Sequence, residues 1–96
     1  MGNTDLTPYE REELRIVTLA YLAQRNTAAF TAAQIAPILR RRRAVDFLFK
    51  DDDVESALVF LDGKEWTQVV PSDFGASQPR RVTSAGVLEA ERRGLC

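Results

Sequence analysis

Apolar residues recur at helical spacing over four stretches of the chain, and turn-forming residues separate those stretches. Thr7-Pro8-Tyr9-Glu10 opens the first: Thr7 can cap, Pro8 suits the first helical position, and Glu10 completes a capping box. Leu14, Val17, Ala20, Tyr21 and Leu22 give this helix an apolar face to about Gln24 or Arg25, with Ile16 and Leu19 widening the stripe. Phe30-Thr31-Ala32-Ala33-Gln34-Ile35 opens the second in the same way, and Ile35, Ala36, Ile38 and Leu39 form its buried side. Pro37 falls beyond its first turn and predicts a kink or a short helix. Val45-Asp46-Phe47-Leu48-Phe49 reads as a brief strand or, preferably, a loop tucking Phe47 or Phe49 inward. Asp51 or Asp52 caps the third helix, Glu55 closes a box from Asp52, and Val54, Ala57, Leu58 and Leu61 face the core. Gly63 predicts its stop.

From Trp66 the period changes. Trp66 to Val70 reads as a strand, 71–79 as a turn-rich loop, and Arg80 to Thr83 as the returning strand. Thr83 or Ser84 then caps a last helix, with Val87 and Leu88 inward and Glu89, Glu91, Arg92 and Arg93 outward. Residues 1–6 read as a flexible tail, so the chain is one domain over 1–96. The fold class is α+β: three helices, a small antiparallel β-wing and a C-terminal helix.

These pieces, in this order, resemble bacterial winged helix-turn-helix DNA-binding proteins of the MarR and PadR type. The resemblance rests on Phe30 to Ala36 at the second helix, on Ala57 to Trp66 where a leucine-bearing helix closes through glycine into a strand, and on Val82-Thr83-Ser84-Ala85-Gly86-Val87-Leu88-Glu89 after the wing. It spans about Tyr9 to Arg93. It implies a third helix lying in the major groove and a wing touching the adjacent backbone. The groove-facing positions it implies are Asp53, Glu55, Ser56, Val59 and Phe60. Here the chain departs from the pattern. Groove reading needs donors for base edges and cations for phosphates, and this helix carries no Arg, Lys, Asn or Gln before Lys64.

Charge sharpens that departure. The formal net charge is −1, so the overall balance does not point to nucleic acid. The candidate DNA contacts are instead Arg40, Arg41, Arg42 and Arg43, an unbroken run, and Arg80 and Arg81 on the returning strand. The run either grips phosphates or is a solvated helix end pairing with Asp51 to Asp53. Arg80 and Arg81 are wing contacts to the backbone or ordinary strand charges, and Phe74 inserts into a partner or folds back over the sheet. The rival function is a protein-interaction module whose face is the acidic third helix, through Asp53, Glu55, Val59 and Phe60. Glu55→Lys separates the two: it strengthens DNA binding in the first and abolishes partner capture in the second.

Other chemistry is thin. There is no histidine and a single cysteine, Cys96, which removes the commonest general base and any internal disulfide. Asp51 to Asp53 fit helix capping better than a metal loop, and Ser72, Ser77 and Ser84 lack a nearby base, so an enzyme and a cofactor are not expected. No apolar run approaches the roughly 20 residues that span a bilayer, and the polar start is not a secretory signal. The expectation is a cytoplasmic protein with double-stranded DNA as partner. A homodimer through the first helix stays open, as does a protein partner. Tyr9 and Tyr21 are expected against the last helix or a second subunit.

Overall fold

The computed structural model describes residues 6–71 and 78–95. Residues 1–5, 72–77 and Cys96 lie outside that description, and with them Phe74, Ser72, Ser77 and most of the expected tail. The element order is α1 (Pro8–Gln24), α2 (Ala32–Arg41), α3 (Asp51–Gly63), β1 (Thr67–Val69), β2 (Arg80–Val82) and α4 (Ser84–Arg92).

Both expected capping boxes form. Thr7 Oγ1 accepts from the Glu10 N–H at 3.2 Å while Glu10 accepts from the Thr7 N–H at 3.0 Å. Thr31 and Gln34 repeat the exchange at 3.2 and 2.9 Å. The α2 helix continues through Pro37 to Arg41. Pro37 and Ala33, whose carbonyl loses its partner, are both exposed, so water can take up the lost bond. The cap of α3 lies earlier than expected: Asp53 accepts from the Lys50 N–H at 2.8 Å, which makes Lys50 the cap residue.

Three of the four helix ends follow one rule. Each of α2, α3 and α4 closes with a residue at positive φ: Arg43 (51°), Glu65 (63°) and Gly94 (73°). In each, the following N–H reaches back five residues: Ala44 to Leu39, Trp66 to Leu61 and Leu95 to Ala90. That is a Schellman closure, which satisfies carbonyls the helix leaves unpaired. The expected stop at Gly63 is therefore displaced. Gly63 is still helical, and the left-handed residue is Glu65.

The core is built on α1, which packs against α3 and α4, while α2 packs against α3. Leu14, Leu19, Leu22, Ile35, Val54, Leu58 and Leu61 are each less than 2 % exposed. Burying such a side chain contributes about 1.5–3 kcal/mol. Leu6, assigned to the tail by its sequence position, is buried in this core. The tucked loop also forms: Phe49 is buried, and Phe47 packs edge-on to it at 6.4 Å.

In the hairpin, Thr67 pairs with Val82, Gln68 with Arg81 and Val69 with Arg80, antiparallel. A third backbone segment joins it. The Phe30 N–H donates to the Arg80 carbonyl at 2.9 Å, and the Arg80 N–H returns to the Phe30 carbonyl at 2.8 Å. Thr83 lies beyond the strand and caps α4, its hydroxyl accepting from the Gly86 N–H at 3.0 Å and donating to the Glu65 carbonyl at 2.7 Å.

The last helix is rotated from its expected face. Leu88 is 65 % exposed, and Glu89 is buried. Arg92 and Arg93 each reach Glu89 at 2.6 Å, one on each carboxylate oxygen. A carboxylate held by two guanidiniums can be buried, and this outweighs the apolar preference of its neighbour.

Candidate nucleic-acid interface

The two ends of the α2–α3 unit and the wing carry the residues singled out in the sequence, and they divide into locked and free charges. Arg40 is locked. Its guanidinium meets Asp51 at 3.0 Å, donates to the Phe49 carbonyl at 3.2 Å and lies 5.1 Å from the Phe49 ring. It fastens the tucked loop to the start of α3.

Arg80 is locked more completely and corrects the expectation of a wing contact. The β2 strand alternates buried, exposed, buried, which turns Arg80 and Val82 inward and Arg81 outward. The Arg80 side chain is 6 % exposed. Its Nη1 meets Glu55 at 2.9 Å and the Gln78 carbonyl at 3.0 Å, and its Nε meets Asp62 at 3.1 Å. Asp62 also accepts from the Thr67 hydroxyl at 2.6 Å. With its side chain enclosed and Nε and Nη1 both engaged, this guanidinium faces the interior of the fold rather than the surface of the wing.

This network also revises the acidic character of α3. Glu55 and Asp62 are seven residues apart, hence on one helix face, and that face meets the wing. Asp62 carried no functional reading in the sequence. Its signal was the two-turn spacing from Glu55, which puts the two carboxylates on one face. Asp53 is engaged at the Lys50 cap and Asp51 by Arg40. Of the acids on this helix, Asp52 alone has no ion-pair or cap partner among the described residues. Glu55→Lys is therefore a poor probe of the surface, since it would set a cation against Arg80. Asp52 is the position to reverse.

Arg41, Arg42, Arg43 and Arg81 are all exposed, and none has a carboxylate partner within ion-pair distance among the described residues. Arg42 approaches the Tyr21 ring at 5.8 Å. Tyr21 itself packs edge-on to Phe30 at 5.2 Å, and Tyr9 is exposed. The run of arginines is thus divided within the last turn of α2: Arg40 turns in to the loop, and the next three stay at the surface.

On the outer side of α3, Asp52, Ser56, Val59 and Gly63 are exposed at helical spacing. Val59 is 55 % exposed. Phe60 does not extend that stripe cleanly. The Arg15 guanidinium of α1 lies 3.8 Å above its ring, and the ring lines a cavity of about 180 Å³ with Ile16, Leu19 and Trp66. Phe60 belongs to the α1–α3 junction as much as to an outer face. No helix among the described residues is long and apolar enough to cross a membrane.

Comparison with known proteins agrees with this architecture. No family model matches the chain, and no curated protein matches it. Among solved structures it is similar to a mutant of MepR from a multidrug-resistant S. aureus clinical isolate. The TM-score is 0.61 at 19 % identity, over 88 % of this chain and 62 % of that one. MepR is a winged-helix regulator of the MarR type, and the likeness establishes the winged-helix fold here. The chain spans less than two thirds of that neighbour's length.

Proposed function

We propose that the chain binds double-stranded DNA as a small transcriptional regulator, holding the phosphate backbone through Arg41, Arg42, Arg43 and Arg81. The observation that carries this reading is the division of charge. Three of the acids that make α3 unlike a groove reader, Asp51, Asp53 and Glu55, are engaged within the fold. The exposed arginines are not. An outer α3 stripe of Asp52, Ser56, Val59 and Gly63 offers little base-edge hydrogen bonding. Binding would therefore be dominated by phosphates, with modest sequence preference and strong salt dependence.

Fluorescence anisotropy on a random duplex across a salt series tests this. The affinity should fall steeply with salt. Arg41→Ala with Arg42→Ala should make the log–log slope shallower by roughly 1.8, about 0.9 per lost phosphate contact. Asp52→Lys should tighten binding. No binding at low salt would overturn the reading. The exposed Val59 beside Phe60 would then favour the rival, a winged helix that docks a protein through α3. Pairing of two copies through α1 is compatible with either reading.

A further inference from the structure

Arg80 joins three segments that are far apart in the chain. Its backbone pairs with Phe30, just ahead of α2, and with Val69 of β1. Its guanidinium spans Glu55 and Asp62, two turns apart on the same face of α3. Asp62 continues the connection to β1 through the Thr67 hydroxyl. The next residue, Arg81, points the opposite way and is exposed. A planar guanidinium held at Nε and Nη1 by two carboxylates and a carbonyl has few rotations left to it.

From this arrangement we infer that Arg80 is a positioning residue, a buried strut that fixes the wing against α3 and so sets where Arg81 stands relative to the α2–α3 unit. The inference goes beyond DNA binding by assigning to the interior a residue whose sequence position suggested a contact, and its functional half rests on the DNA reading. The strut acts through geometry. Lysine keeps the charge but, as a single point, cannot hold Glu55, Asp62 and the Gln78 carbonyl together. Arg80→Lys should therefore loosen the wing while leaving the surface charge as it was.

Two measurements on the full chain test this. The first is native-state amide exchange of the free protein. Arg80→Lys, and to a smaller degree Glu55→Gln, should speed exchange at the paired amides of Phe30, Arg80 and Thr83 while leaving the middle of α1 protected. Unchanged exchange at those amides in both variants would overturn the strut. If Arg80→Lys does not fold, Glu55→Gln carries this arm alone, because it keeps a hydrogen-bond acceptor facing Nη1. The second is a double-mutant cycle on duplex affinity at fixed salt. Arg80→Lys alone should weaken binding about fivefold, and it should add no further loss once Arg81 is alanine. Additive losses would mean that Arg80 meets DNA itself and would overturn the inference. Wild-type protein that binds no DNA would remove the proposed function and leave the exchange measurement to decide the strut.

Discussion

Thr18 is a polar side chain in the most buried layer of α1, fully enclosed, with an Oγ1 that has no hydrogen-bond partner. A buried unsatisfied hydroxyl costs about 1–3 kcal/mol. Thr18→Val keeps the shape and removes the polar atom, so it should raise the urea midpoint by an amount equivalent to about 1 kcal/mol. A fall in the midpoint would mean that the hydroxyl is satisfied in solution. Glu89 presents the reverse case, a buried acid that is fully answered. Hydrogen bonds from Arg92, then from Arg93, hold its pKa below the ordinary value of 4.5, against a smaller opposing effect of burial. A folded-state pKa lowered in this way stabilises the native state above the unfolded value, and the contribution is lost as pH falls through the folded one. The stability gap between wild type and Glu89→Gln should therefore be full near neutrality and shrink below about pH 4.5. A gap that stays constant in urea melts across that range would count against the two arginine bonds. The sequence offered both arginines at helical spacing from Glu89, but amphipathic counting assigns charge outward and cannot register an acid that takes its counter-ions in with it.

At the scale of elements, the two glycines flanking the wing make opposite demands. A Cβ on Gly86 would lie 2.1 Å from the Trp66 carbonyl oxygen and 2.7 Å from Val82 Cγ2. The first turn of α4 sits directly on the backbone entering β1, and this explains the threonine-then-glycine opening that the sequence displayed without its reason. Thr83 caps the helix, and Gly86 admits the carbonyl. Gly86→Ala should destabilise by about 2–3 kcal/mol through overpacking against backbone that cannot yield. Gly63, helical and with open space at its Cβ, should instead tolerate alanine with a gain of about 0.5–1 kcal/mol. Thermal melts of the two variants on either side of wild type would confirm the contrast, and shifts of the same sign would refute it. Starts of elements were legible because a cap is a local signal: Thr7 with Glu10 and Thr31 with Gln34 lie within one turn. Helix ends were less so. Arg43 and Glu65 adopt a conformation in which glycine is favoured, held there by bonds that span the whole closure. No single residue type marks such an end.

For the molecule as a whole, the net charge of −1 is the sum of two populations that behave differently. Arg40 and Arg80 hold structure, whereas Arg41 and Arg42 make no ion pair among the described residues. Arg41→Ala with Arg42→Ala should therefore leave unfolding within about 0.5 kcal/mol of wild type per site while changing any DNA affinity. A large loss of stability in calorimetry would show that they are structural after all. The winged-helix order could be read from periodicity, but the sorting of arginines into locked and free could not. It depends on which strand face meets α3, and in a three-residue strand that is decided by its partners. The docking of α1 on α4 carries a different kind of consequence, one of timing. The Gln24 side chain donates to the Leu95 carbonyl at 3.2 Å, across 71 positions. The part of the α1 face that meets α4 stays open to water until α4 is in place, even after α1 has packed on α3. Contacts of such sequence separation slow folding, so its rate should be governed by the closing of α1 on α4 rather than by the formation of either helix.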